Sequence, residues 1–131
     1  MRIAIPHWQG RIAPVFDVTG HVLLVDVEEG RETHREERRL VKTELSARAA
    51  ELRRYGVDLL ICGAISAQLQ FRIVAAGIQV IPFLCGPVDE VLDAYLNDRL
   101  ARRAFAMPGF QRQHSAAFEP RDRRRRNTNL K

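Results

Sequence analysis

GVDLLICGAISAQLQFRIVAAGIQVIPFLCGP, residues 56–87, decides the fold. Val57 to Ile61 is a short apolar run after a glycine, as expected of a strand covered on both faces. Cys62-Gly63 closes it, and Ser66 stands where a helix cap belongs. In the helix that follows, Leu69, Ile73, Val74 and Ala76 return to one face, and Gly77 is a natural stop. Ile78 to Phe83 is a second apolar strand, ending in Leu84-Cys85-Gly86. Strand, helix and strand with short connections predict two parallel strands joined by a right-handed crossover. Both strands end in Cys-Gly.

Working outward, Arg2 to Ile5 reads as a first strand stopped by Pro6, followed by a loop His7-Trp8-Gln9-Gly10. Arg11 to Phe16 reads as extended, with Pro14 marking an edge. His21 to Val27 is a strand between the turn signals Thr19-Gly20 and Glu29-Gly30. Arg31 to Arg39 is almost wholly polar, a charged edge that discourages pairing between molecules. These three segments predict an antiparallel meander. Thr43 to Tyr55 predicts a helix, with Thr43 as cap and Leu45, Ala49 and Leu52 on one face. After Gly86-Pro87 a last helix is expected, with Asp89 and Glu90 at the positive end of its dipole and Val88, Val91, Leu92, Tyr95 and Leu96 as its apolar stripe. The expectation is one α/β domain over residues 1–110, with a five-stranded mixed sheet and helices on both faces. Phe105, Met107 and Phe110 are expected to lie over the body.

The formal charge of +5 is not spread evenly. Residues 111–131 hold seven of the 21 Lys and Arg but two of the 16 acids, so the tail carries the excess and the remainder is neutral. The tail, with Arg123 to Arg126 in one run, is expected to be disordered. Its binding reading is weak, salt-sensitive contact with an anionic partner. No apolar run approaches the roughly 20 residues of a spanning helix. The N-terminus begins directly as a strand without a signal-peptide plan, so no membrane insertion and a cytoplasmic location are expected. In that compartment the two cysteines read as thiols.

Ligands of open α/β sheets bind beyond the carboxyl ends of the parallel strands. His7, Cys62 and Cys85 lie just past three such ends, and imidazole and thiolate are the donors that soft metals and iron–sulfur clusters use. Gly10, Gly63 and Gly86 would let backbone approach a bulky inorganic group, and Trp8 could cover one side. The competing reading makes each cysteine a small buried hydrophobe. His21, at a strand start beside a turn, reads as solvated. No nucleophile elbow, phosphate loop or dinucleotide fingerprint is present, and no enzyme is expected.

RIAIP, RIAPVFDVTGHVLLVDVE, GVDLLICGAIS and GIQVIPFLCGPVDEVLDAYL, in that order, resemble the dinitrogenase iron–molybdenum cofactor biosynthesis family. This is the group of NifX-type and NafY-type carriers and the C-terminal domain of NifB-type proteins. The resemblance covers about Met1 to Asp98. It implies a ribonuclease H-like three-layer α/β fold. It also implies a non-catalytic carrier of an iron–sulfur or iron–molybdenum cluster precursor in metallocluster assembly, related to nitrogen fixation. A cluster donor or acceptor protein and a homodimer are the partners that this implies. Many members carry His-Phe-Gly where this chain has Val15-Phe16-Asp17, which moves the metal ligands to His7, Cys62 and Cys85. The alternative is a partner-binding or regulatory module on the same fold without metal.

Overall fold

The structure, a computed structural model, describes residues 1–41 and 43–97. The expectations for Phe105, Met107, Phe110 and the basic tail fall outside these residues. The chain forms β1 (Arg2–Trp8), β2 (Arg11–Ile12), a 3-10 turn (Phe16–Val18), β3 (His21–Glu28), β4 (Arg31–Arg39), α1 (Leu45–Arg54), β5 (Leu59–Ile61), α2 (Ala67–Ala75), β6 (Gln79–Ile81) and α3 (Val88–Leu96). Its mixed sheet has six strands in the order β4-β3-β1-β5-β6, with β2 attached to β1. β5 runs parallel to β1 and β6 parallel to β5, as the apolar runs predict, while β3 and β4 are antiparallel.

The extra strand arises because the extended Arg11–Phe16 segment does not join the meander. Only Arg11 and Ile12 pair, and their partners are Trp8 and His7 of β1 rather than β3. Gln9 and Gly10 both take positive φ, 53° and 81°, the two-residue turn whose twist matches a hairpin. β1 therefore runs through Pro6. The Pro6 carbonyl accepts from Ala13 N–H at 3.0 Å, on the side away from β3. The missing proline N–H faces that same side, where pairing with β5 has reached only Ala4, so no ladder bond is lost.

Alternation along the central strands builds two cores. Ile3, Ile5, Leu23, Val25, Leu59 and Ile61 meet Val88, Val91 and Leu92 of α3. Ala4, Val22, Leu24, Leu60 and Cys62 meet Ala49 and Leu52 of α1 and Leu69 and Ile73 of α2 on the other face. Each large aliphatic side chain buried this way is worth about 1.5–3 kcal/mol. The α2 stripe is narrower than its sequence suggests, because Val74 remains 54% exposed. α1 begins two residues after Thr43: Glu44 occupies the cap position, with no side-chain capping bond. α2 is capped as expected, the Ser66 hydroxyl accepting from Leu69 N–H at 3.2 Å. No helix among the described residues is long and apolar enough to cross a membrane.

Candidate functional site

Because β1, β5 and β6 are parallel, their carboxyl ends open on one rim. Backbone hydrogen bonds lace the connections there. Leu84 N–H donates to Cys62 O at 3.0 Å and Phe83 N–H to Gly63 O at 2.9 Å, joining the segments after β5 and β6. Ala64 N–H reaches Pro14 O and Phe16 N–H reaches Ala64 O, both at 2.8 Å, bringing in the segment after β2. Ile12 N–H donates to Gly86 O and Val88 N–H to Gly10 O, both at 2.9 Å, which pins the Cys85 segment under the β1–β2 hairpin. Phe83 holds φ at +65°, a conformation that non-glycine residues rarely adopt. Such strain persists only where neighbouring bonds enforce it.

Gly63 serves a purpose other than the one expected. A Cβ there would lie 2.5 Å from Ala13 O and 2.8 Å from Pro14 O, so its missing side chain admits the protein's own backbone, not an external group. Gly10 has nothing within 4 Å of such a Cβ and works as the hairpin turn. Gly86 takes φ +127° and presents its carbonyl to β2.

His7, Cys62 and Cys85 are not gathered into one ligand set. Among the described residues no three His, Cys, Asp or Glu side chains stand together as a metal site. Strand parity explains part of this. His7 follows Ile3 and Ile5 and pairs with Ile12, all facing α3, whereas Cys62 belongs to the core under α1 and α2. Cys62 is fully buried, and desolvation, assisted by the negative charge of Asp17, pushes its thiol well above the ordinary range. That environment matches the buried-hydrophobe reading of this cysteine. Cys85 is half-buried at the rim.

His7 keeps company that its sequence position does not announce. Its Nε2 lies 3.2 Å from Glu37 Oε2 of β4, but off the hydrogen-bond direction, so this buried nitrogen has no aligned partner. The His7 and His21 rings are 6.4 Å apart between centroids, and Trp8 and His21 are 5.9 Å apart. His21 is therefore half-buried against two aromatic neighbours rather than solvated. The pairing of Pro6 with Val22 sets this proximity, and only knowledge of that register could have revealed it. Trp8 remains 58% exposed. Asp17, also missed, accepts from Ser66 N–H at 2.9 Å and so ties the 3-10 turn to the start of α2.

The two thiols should differ sharply in reactivity. Under native conditions Cys85 is expected to take a maleimide within minutes, while Cys62 stays protected until urea unfolds the chain. Equal native rates by mass spectrometry would contradict the core placement of Cys62. Since burial raises the folded thiol above its ordinary value of 9.0, the unfolded thiol ionises first. Its contribution to stability is complete below that value and is lost as pH rises beyond it. Cys62→Ala should flatten this alkaline decline.

A family model described as "Dinitrogenase iron-molybdenum cofactor" matches residues 1–98. Solved structures share the fold. The protein PH0822 superposes with TM-score 0.70 at 18% identity, covering 76% of this chain and 93% of that one. A candidate dinitrogenase from Methanocaldococcus jannaschii gives 0.62 at 16% identity, covering 76% and 90%. A protein from Thermotoga described as NifB-like gives 0.60 at 24% identity, covering 86% and 97%. No curated protein matches the chain.

Proposed function

The chain belongs to the dinitrogenase iron–molybdenum cofactor family, whose model spans residues 1–98, and on that premise we propose that it is a non-catalytic cytoplasmic carrier of an iron–sulfur or iron–molybdenum cluster precursor. The ribonuclease H-like description of its fold belongs to the same proposal. The observation that carries the reading is the family match across the whole described body, including every strand that ends at the rim.

The cluster is cargo, and the proposed contacts narrow to the half-buried Cys85 and to the His7 Nε2 that lacks an aligned partner. Cys62, fully buried on the opposite face from His7, supports the sheet instead. Glu37 is 62% exposed along its side chain and can swing away when His7 engages iron. Trp8, beside His21, would shield the cargo from water. Two protein ligands leave cluster iron with positions for a small thiol, water or a second subunit, whereas a permanent site commonly uses four. Incomplete ligation suits a protein that must give its cargo to an acceptor.

Anaerobic reconstitution with iron and sulfide, read by visible absorption and paramagnetic resonance, tests this reading. Wild type and Cys62→Ala should take up cluster, while Cys85→Ala and His7→Ala should hold several-fold less iron. The second reading, a partner-binding module without metal, is supported by the full burial of Cys62 in the core under α1 and α2, where a thiol packs as a small hydrophobe. Wild type that takes up no cluster selects it.

A further inference from the structure

Charge is segregated between the two helical faces of the sheet. On α3 the charged residues Asp89, Glu90 and Asp93 are all acidic. On α1 and α2 the exposed charges are Arg53, Arg54 and Arg72, because the one acid within these helices, Glu51, is buried. None of the three arginines is ion-paired among the described residues. Arg53 instead donates to Ala76 O at 2.8 Å, which joins the ends of the two helices. Beside them on α2, Phe71 is 73% exposed and Val74 54% exposed. They stand at i and i+3, one helical face. Acids near this face are at its ends: Asp17 is engaged with Ser66 N–H and Asp58 with Arg2 N–H, while Glu44, at the far end of α1, is exposed and makes no capping bond.

The arginines have a local use, since cations in a last helical turn complement the dipole. That accounts for neither Phe71 nor Val74. We propose that the outward face of α1 and α2 is the docking surface for an acidic protein partner, with Phe71 and Val74 as its apolar centre and Arg53, Arg54 and Arg72 as its electrostatic rim. Apolar anchors ringed by charge are the general anatomy of such contacts. The chain's own C-terminal part is an unsuitable occupant. Residues 111–131 carry an excess of positive charge that repels this surface. This inference rests on the surface alone and stands whether or not the chain carries a cluster.

The test uses the full chain, labelled with nitrogen-15, and an amphipathic helical peptide with glutamates on one face and leucines on the other. At low salt the peptide should shift amides of α1 and α2 around Arg53, Phe71, Arg72 and Val74. Phe71→Ser and Arg72→Glu, both at exposed positions, should each weaken binding by roughly tenfold. Raising ionic strength should weaken it further. A single-stranded oligonucleotide of equal charge should bind more weakly and without dependence on Phe71. Three outcomes overturn the proposal: no shifts with the peptide, shifts centred on β4 or α3, or oligonucleotide binding that depends on Phe71 as strongly. Self-association of the free chain through the acids of α3 overturns it in favour of a second copy.

Discussion

Gly63→Ala should lower the stability of this protein by about 3 kcal/mol or more, far beyond the ordinary cost of replacing a glycine. The added methyl would sit 2.5 Å from Ala13 O and 2.8 Å from Pro14 O, both backbone atoms with no rotamer to retreat into. Moving them stretches the bonds Ala64 N–H to Pro14 O and Phe16 N–H to Ala64 O, the lacing between β2's loop and the end of β5. Gly30→Ala is the matched control. It takes φ +77° but meets nothing within 4 Å, so only the backbone preference of about 1 kcal/mol is at stake. Thermal unfolding should therefore separate the variants, with the Gly63 midpoint down by roughly 12 °C or more. A Gly30 variant as unstable as the Gly63 variant would refute the steric argument.

Arg48→Met should cost about 3–5 kcal/mol, the range for removing one member of a buried charged group. Arg48 is almost wholly buried, because with Leu45, Ala49 and Leu52 it completes the i, i+3, i+4, i+7 stripe by which α1 faces the core, a charged residue at an apolar position. Its Nη2 donates to Phe16 O at 2.8 Å and also to Thr19 O, and its guanidinium lies 5.0 Å over the Phe16 ring. Burial lowers its pKa from the ordinary value, opposed by the negative charges of Glu51 and Asp17. Methionine fills much of the volume but leaves two carbonyls without this donor and Glu51 without this cation. The double variant Arg48→Met/Glu51→Leu should regain a large part of the loss, because the uncompensated carboxylate goes too. Urea unfolding measures all three. A single variant within 1 kcal/mol of wild type would show that Arg48 is a passenger.

These two residues mark where local reading ends. The steric role of Gly63 depends on carbonyls about fifty positions earlier in the chain, and that of Arg48 on carbonyls about thirty positions earlier. The inward position of Arg48 is periodic, but the carbonyls that either residue meets leave no local trace. Ser66, by contrast, was legible as a cap because its partner, Leu69 N–H, is three residues away. His21 shows an intermediate case. Its strand was evident, but its neighbours His7 and Trp8 depended on how β1 and β3 align.

The sequence by itself determined the parallel β5–α2–β6 unit, the charged β4 edge and the apolar stripe of α3. Apolar runs, caps and dipoles act within a few residues, so their energetics are written locally. It also predicted His7, Cys62 and Cys85 just past three strand ends, but β1 runs on to Trp8, so His7 lies within the strand rather than beyond it. Tertiary structure alone decided that β2 folds back on β1, which frees Pro6 to continue the strand. It alone decided that His7 and Cys62 occupy opposite faces of the sheet. Strand periodicity gives two alternating faces, but which helix covers each face is fixed only when distant segments pack. A thiol's availability follows from that packing: the same Cys-Gly ending gives a sealed Cys62 under α1 and α2 and an accessible Cys85 beneath the hairpin.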